Sequence, residues 1–161
     1  MGKHSTSRRP RAQAIRAAAA AGLVGAGTLG PVGVGHAVAD QVLAEGTPCT
    51  ITARACVSLA TQQAWLIEDG TVVRGPVPVS SGGPGHETPL GDFRVEWKHK
   101  DHRSAEFNNA PMPWAVFFAP GGIAFHQGNL ATPSAGCVRL AAAEAEAFYR
   151  FLQVNDSVQV R

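Results

Sequence analysis

The chain has 161 residues, of which 45% are hydrophobic and 16% are charged, and its formal net charge is +2. Five of the 14 basic residues and none of the 12 acidic residues lie in residues 1–39, so the rest carries nine bases, 12 acids and a net charge of −3. This balance leaves no basic face for nucleic acid, and no nucleic-acid partner is expected. The 122 residues of segment 40–161 suit one domain that buries about two-thirds of its unfolded surface.

Residues 1–39 show the three parts of a secretory signal peptide. The start is basic, residues 17–35 are uncharged and mostly apolar, and the Ala-Val-Ala triplet at 37–39 is an A-x-A cleavage site. The alternative is an uncleaved membrane anchor, because nineteen residues nearly span a bilayer. Six glycines and Pro31 weaken a spanning helix. The sequence therefore predicts export to the cell wall or beyond, with cleavage after Ala39.

The chain contains three cysteines. Cys49 and Cys56 are seven residues apart and can meet across a short loop or hairpin, and exported proteins usually pair their cysteines. This pairing predicts that Cys137 is an unpaired thiol with a reactive role. The alternative is that Cys137 is a buried spectator and that one of the other two cysteines is free.

In chain order, residues 40–60 are interpreted as a lead-in held by this disulfide. An apolar run, the Asp69-Gly70 turn and a β-branched run then predict a hairpin. Residues 76–91, which are rich in Pro and Gly, predict an edge strand followed by a long surface loop.

Phe93, Val95 and Trp97 alternate with charged residues and predict one half-buried strand. The polar stretch that follows, up to Pro113, is interpreted as a loop. Two apolar β runs then flank the Pro-Gly-Gly turn at 120–122 and predict a second hairpin.

The pattern changes near the end of the chain. Residues 141–152 are rich in Ala and Glu and place Phe148, Phe151 and Leu152 on one face, which predicts a helix. Residues 157–161 predict a short closing strand. The expected fold is mostly β, in the α+β class, with one helix immediately after Cys137.

The segment Ser134-Ala135-Gly136-Cys137 has the residue types that acyl transfer needs. A thiol at the start of a helix has a lowered pKa because it lies near backbone N–H groups and the positive end of the helix dipole. Ser134 is expected to cap the turn, and the amides of Gly136 and Cys137 to receive an oxyanion. His126, at the end of an apolar run, is the candidate base. The alternative is a histidine that is simply hydrogen-bonded at a strand end.

Other histidines suggest different chemistry. His99 and His102 flank Asp101 at a spacing that can ligate zinc, but no third strong ligand is evident, and a solvated polar loop is preferred. No metal site is predicted. His86, in a Gly-rich loop, is interpreted as a surface residue.

The ordered motifs H-x-G and S-x-G-C-V-R, together with the segments "ETPLGDFRV" and "PMPWAVFF", resemble the L,D-transpeptidase family, also called the YkuD family. The resemblance covers residues 61–161 and implies a mixed β-sandwich with a helix after the catalytic cysteine. The predicted organisation is a signal peptide at 1–39, a lead-in at 40–60 and a catalytic domain at 61–161. Two departures are Ala135, where the family often has a histidine, and Gln127, which separates His126 from the glycine.

The resemblance implies a role for each matching residue. Cys137 is the nucleophile, His126 is its base, and the carbonyl of Gln127 orients the imidazole. Ser134 and Gly136 shape the turn that carries the nucleophile. Arg139 lines the site and either meets a substrate carboxylate or forms a structural salt bridge, since the arginine fork suits both.

The implied reaction is attack of Cys137 on a peptidoglycan stem tetrapeptide, release of D-alanine, and capture of the thioester by an amine. Water as acceptor would make the protein an L,D-carboxypeptidase, and loss of turnover would leave a peptidoglycan-binding module. No cofactor is implied, a monomer is expected, and carbapenems are the implied inhibitors. A thiol redox protein is disfavoured because the chain has no C-x-x-C motif.

Overall fold

In the computed structural model, residues 41–161 are described, and they form two β-sheets and one helix. The signal peptide predicted for residues 1–39 lies outside these residues. The nine strands are β1 (Ala55–Ser58), β2 (Gln63–Glu68), β3 (Thr71–Pro78), β4 (Gly91–Arg94), β5 (Trp97–Ser104), β6 (Ala110–Ala119), β7 (Ile123–Gln127), β8 (Val138–Leu140) and β9 (Ser157–Val160). The helix α1 spans Ala142–Phe151. Within 41–161 no helix is long and apolar enough to cross a membrane.

The two sheets pack around a shared core. One has the strand order β3-β2-β1-β9-β4 and the other the order β5-β6-β7-β8. The core between them contains aromatic and branched side chains from both sheets and from α1, among them Phe118, Phe125, Phe148, Val57 and Leu66. Burial of this apolar surface holds the layers together. The mixed β-sandwich with a helix after the cysteine is therefore confirmed.

Two hairpins lie where the sequence predicts them. Asp69 and Gly70 both have positive φ, at 48° and 77°, as a two-residue turn between antiparallel strands requires. Gly121 and Gly122 also have positive φ and join β6 to β7. The residue types of these two turns were therefore enough to predict both hairpins.

The predicted single strand around Val95 is two strands in different sheets. β4 pairs with β9 and β5 pairs with β6, while Val95 and Glu96 form the crossing between the sheets. Val95 is fully buried at this crossing. Strict alternation continued through the crossing, so the periodicity alone did not reveal it.

The predicted polar loop after Trp97 is also wrong, because these residues form β5 and the first half of β6. The lysines of β5 cover aromatic rings: Lys98 Nζ lies 4.7 Å from the ring centre of Tyr149, and Lys100 Nζ lies 4.8 Å from that of Trp114. Long charged side chains can cover apolar surface in this way while their charged ends keep polar partners. Pro111 and Pro113 lie in the part of β6 that pairs with β5 but not with β7. On the unpaired side of a strand, the N–H that proline lacks is not needed for a hydrogen bond between strands.

The segment interpreted as a lead-in contributes to the sheet itself. Its β1 pairs with β2 on one side and with β9 on the other, and all four of its residues are buried. The preceding residues are fixed by the Cys49–Cys56 disulfide, which is present as predicted. Residues 55–58 therefore belong to the folded domain, which begins before residue 61.

Candidate active site

Strands β7 and β8 bring the candidate base and nucleophile onto one face of their sheet. They pair in parallel with His126 opposite Arg139 and Phe125 opposite Val138. Because side chains alternate along a strand, Cys137, two residues before Arg139, lies on the face of Arg139 and His126. Phe125 and Val138 point to the opposite face, into the core.

Both side chains open into one cavity of about 810 Å³. His126 is buried, with 7% of its surface exposed, whereas Cys137 is half-buried and is the free cysteine among residues 41–161. The remaining lining includes Arg139, Gln127, Gly128, Asn129 and Ala135, together with His86, His102, Glu106 and Trp97. The fold thus brings Cys137 and His126 together, as the sequence predicts.

A backbone hydrogen bond fixes the tautomer of His126. Its Nδ1 lies 2.7 Å from the carbonyl oxygen of Gln127. A carbonyl only accepts, so Nδ1–H donates and Nε2 keeps its lone pair. The predicted contact between Gln127 and the imidazole is therefore present, and it leaves the second ring nitrogen able to take a proton.

Burial dominates the ionisation of both groups. It lowers the pKa of His126, and the charges of Arg139 and His102 lower it further, against the opposing effect of the Gln127 hydrogen bond. Burial raises the pKa of Cys137, although a hydrogen bond with the Ala124 backbone and the charge of Arg139 oppose the rise. Burial therefore disfavours the charged form of each group.

The prediction that Cys137 begins a helix is wrong. The three-residue strand β8 follows Cys137, and α1 begins only at Ala142. The effect of a helix dipole falls off within the first turn, so α1 does not favour the thiolate. The candidate group for activating the thiol is therefore the imidazole of His126, which lines the same cavity.

The turn before Cys137 is held by a buried serine. Ser134 Oγ accepts a hydrogen bond from the Gly136 N–H at 3.0 Å and donates one to the Cys137 carbonyl at 2.5 Å. Gly136 has φ of +113°, and a Cβ there would lie 2.5 Å from Ile123 Cδ1. Ser134 and Gly136 shape this turn, as predicted.

These bonds change the predicted oxyanion site. The Gly136 N–H is committed to Ser134 Oγ, so it is not available to substrate. The Cys137 N–H makes no hydrogen bond within residues 41–161. Of the two amides predicted to receive an oxyanion, only that of Cys137 is therefore open.

Sequence reasoning missed Thr88, although it lies in the quoted "ETPLG" motif. Its hydroxyl donates to the Gly136 carbonyl at 2.7 Å and accepts from the Gly82 N–H at 2.9 Å. Ser81 accepts from the Ser134 N–H through its carbonyl, at 2.9 Å. The predicted surface loop after β3 is thus packed against the nucleophile turn, and Thr88 is 2% exposed.

Arg139 forms no ion pair with any carboxylate of residues 41–161. Its guanidinium donates instead to the carbonyls of Thr132 and Pro133, at 3.3 and 3.4 Å. Its aliphatic stem lies against Gly128, where a Cβ would be 2.6 Å from Arg139 Cδ. The structural salt bridge considered for Arg139 is absent, and its charge remains available to a ligand.

Within residues 41–161, the structure adds no third ligand to the zinc site considered for His99 and His102. The Nδ1 atoms of His99 and His102 lie 3.4 Å apart on strand β5. Residues 41–161 contain no group of three or more metal-ligating side chains. His86, interpreted as a surface residue, is exposed but lines the cavity.

The profile of the YkuD family, the L,D-transpeptidase catalytic domain, matches residues 52–160, more than half of the chain. The chain belongs to this family. The match begins before β1, which agrees with the place of that strand in the sheet. No relative was found among curated protein sequences.

Solved L,D-transpeptidases have similar folds. One from Stackebrandtia nassauensis is 25% identical, with a TM-score of 0.64 over 79% of this chain and 61% of that one. One from Mycobacterium tuberculosis H37Rv is 22% identical, with a TM-score of 0.62 over 66% and 56%. LdtMt1 in complex with imipenem is 21% identical, with a TM-score of 0.61 over 66% and 57%. This YkuD-family chain thus spans only about three-fifths of the length of these relatives.

Proposed function

We propose that this protein is an exported cysteine transpeptidase that acts on peptidoglycan stem peptides through a Cys137 thioester. The observation that carries the proposal is the placement of Cys137 and His126 on one face of the β7–β8 ladder, in one cavity. Nucleophilic catalysis requires a thiol and a base that a third group orients. The carbonyl of Gln127 is that third group.

The first half of the reaction forms the thioester. His126 Nε2 takes the thiol proton as Cys137 Sγ attacks the carbonyl of the third stem residue. The Cys137 N–H donates to the oxygen on which charge develops. The tetrahedral intermediate then expels D-alanine, whose amine receives the proton from His126 Nε2–H.

The second half releases the product. An amine of a neighbouring stem loses a proton to His126 Nε2 and attacks the thioester carbonyl. Sγ leaves and regains that proton from the imidazole, so the enzyme returns to its starting state with a new amide bond. Water in place of the amine yields the L,D-carboxypeptidase reaction by the same steps.

Arg139 has the properties of a carboxylate-binding residue. Its guanidinium lines the cavity on the face of Cys137 and has no carboxylate partner within 41–161. The terminal carboxylate of the stem lies one residue beyond the scissile bond. An arginine fork can bind such a group through two parallel hydrogen bonds.

The test of the thioester is mass spectrometry of the protein after incubation with imipenem. One covalent adduct is expected in the wild type, and none in Cys137→Ser or Cys137→Ala. A tetrapeptide stem supplied with and without an amine acceptor then separates the possible reactions. A cross-linked product supports the transpeptidase, and D-alanine release without cross-linking indicates the carboxypeptidase. No adduct and no turnover would leave a peptidoglycan-binding module.

Export is part of the proposal, and it rests on the signal-peptide pattern of residues 1–39. The mass of the protein recovered from outside the producing cell tests it. A chain that begins at Asp40 is expected. Retention of the full chain in the membrane fraction would favour the uncleaved anchor instead.

A further inference from the structure

Trp97 lines the cavity that contains Cys137, and one face of its indole ring is left open by its aromatic neighbours. Its ring stacks on Phe117, with centroids 3.7 Å apart and an interplanar angle of 8°. His102 lies 5.4 Å from the Trp97 centroid and 5.0 Å from that of Phe117, with its plane nearly perpendicular to both. A ring almost equally distant from two stacked rings lies beside the stack and not on top of it. The outer face of Trp97 is therefore uncovered by either neighbour, and 44% of the residue is exposed.

The register of the sheet places Trp97 and Cys137 at the two ends of one row of paired residues, and the open face of the indole points away from Phe117. Trp97 pairs with Phe117, and Phe117 pairs with Ala124. Continuing the β7–β8 register by one residue puts Cys137 opposite Ala124, and Cys137 packs against the apolar cluster that contains Phe117 and Ala124. Three strand spacings separate Trp97 from Cys137, which is a distance of about 14 Å.

This distance matches the length of a stem peptide. In the proposed reaction three stem residues lie between the attacked carbonyl and the amino sugar that carries the stem. Three extended residues span about 10–11 Å. A sugar stacked on the outer face of Trp97 lies about 4 Å beyond the indole, and the link to the sugar together with the ring itself covers this remainder. A stem that runs across β7 and β6 with its carbonyl at Cys137 would therefore bring its sugar to Trp97.

We propose that the open face of Trp97 is a subsite for the amino sugar of peptidoglycan, so that the substrate is a stem still attached to its glycan. This inference rests on the proposed function. The flat side of a pyranose presents several C–H groups, and the negative face of an aromatic ring attracts such positive edges. His102, beside the stack, places a polar ring where the sugar's hydroxyl and acetamido groups would lie. Apolar faces with a few polar groups are typical of ligand sites.

The first experiment compares two substrates in steady-state acyl transfer, a disaccharide-linked tetrapeptide and the same tetrapeptide without sugar. We expect the wild type to have a KM roughly three- to tenfold lower for the sugar-linked form, as one aromatic contact permits. Trp97→Ala is expected to bring the ratio close to one, and Trp97→Tyr to restore part of it. The control is Phe107→Ala, because Phe107 is another exposed aromatic side chain of the same cavity. That variant is expected to keep the ratio.

Equal KM values in the wild type, or a ratio that survives Trp97→Ala, would overturn the subsite. A second measurement does not depend on chemistry: the indole N–H resonance of Trp97 is followed in the Cys137→Ser protein as each compound is titrated. A shift with the sugar-linked stem but not with the free stem supports the subsite, and equal responses contradict it. If the wild type forms no acyl-enzyme but this selective shift is present, the proposed function fails while the sugar site stands.

Discussion

The four-stranded sheet contains two halves that line one cavity and are stabilised differently. In the nucleophile half, formed by β7, β8 and the turn that leads to Cys137, the peptide groups around Gly136 are bound by Ser134 and Thr88. In the wall half, formed by β5 and β6, the cavity surface consists of an aromatic stack and exposed polar side chains. These hydrogen bonds restrict the nucleophile half, as the proposed attack on a carbonyl requires. Recognition of a bulky ligand tolerates a more exposed surface.

The largest effect is expected in the nucleophile half, from His126→Gln. Glutamine can accept a hydrogen bond but cannot take the thiol proton, so acylation by a carbapenem should fall by about 10²- to 10⁴-fold. Stopped-flow measurement of the second-order acylation rate checks this. A loss of less than threefold would show that the imidazole is not the base.

The pH dependence of carbapenem acylation tests whether His126 is the base. Burial lowers the pKa of His126, so the imidazole becomes a competent base below its usual range near 6.5. The wild-type rate should rise with pH through that lowered pKa. Because burial raises the pKa of Cys137, the rate in His126→Gln should rise only at alkaline pH, as thiolate forms. If His126→Gln kept the rise in rate that the wild type shows at acidic pH, that rise would not belong to His126.

Gly136→Ala tests the geometry of the turn, with Gly85→Ala as its matched control. Both glycines have positive φ, at +113° and +81°, but a Cβ meets Ile123 at Gly136 and nothing within 4 Å at Gly85. Backbone strain should cost each variant about 1–3 kcal/mol of unfolding free energy. Only Gly136→Ala should also slow acylation, by about 10²-fold, because it displaces the nucleophile. Equal acylation rates would show that the turn has room to adjust.

Thr88→Val removes one hydroxyl from the nucleophile half without changing the size of the side chain much. It leaves the Gly136 carbonyl and the Gly82 N–H without their partner, which should cost about 1–3 kcal/mol. Thr88→Ser keeps the hydroxyl and should keep most of the stability and acylation rate. Denaturant unfolding and imipenem acylation are the measurements. A loss in Thr88→Ser that is absent from Thr88→Val would make the Thr88 methyl group, not its hydroxyl, the important part.

The smallest effect is expected in the wall half, from Lys98→Met. Lys98 Nζ donates to the carbonyls of Tyr149 and Leu152 at the end of α1, at 2.7 and 2.5 Å, so its loss should cost about 0.5–1.5 kcal/mol. Lys98 lies outside the cavity lining, and the acylation rate should stay at the wild-type value. Lys100→Met is the control, since Lys100 covers only the ring of Trp114. A slower acylation in Lys98→Met would mean that the two halves are coupled.

Local patterns were reliable wherever one face of an element is buried and neighbouring residues decide the conformation. The Asp69-Gly70 turn, the hairpin around Gly121 and the helix at the end of the chain all follow from residue types within a few positions. The same patterns failed at β5, whose lysines cover rings supplied by α1 and β6. They failed again at Val95, because nothing in the alternation marks the crossing between sheets.

The sequence predicts the candidate residues of the site: the free Cys137, the candidate base His126, and the serine and glycine of the turn. They can be predicted because turn-forming residues and ordered motifs act over short distances along the chain. The pKa shifts of the two groups and the hydrogen bonds of the turn depend instead on the folded chain. Burial, which depends on the whole fold, raises the pKa of the Cys137 thiol, while Thr88 and Ser134 bind the carbonyl and the N–H of Gly136. Those contacts join residues up to 48 positions apart, where no local pattern operates.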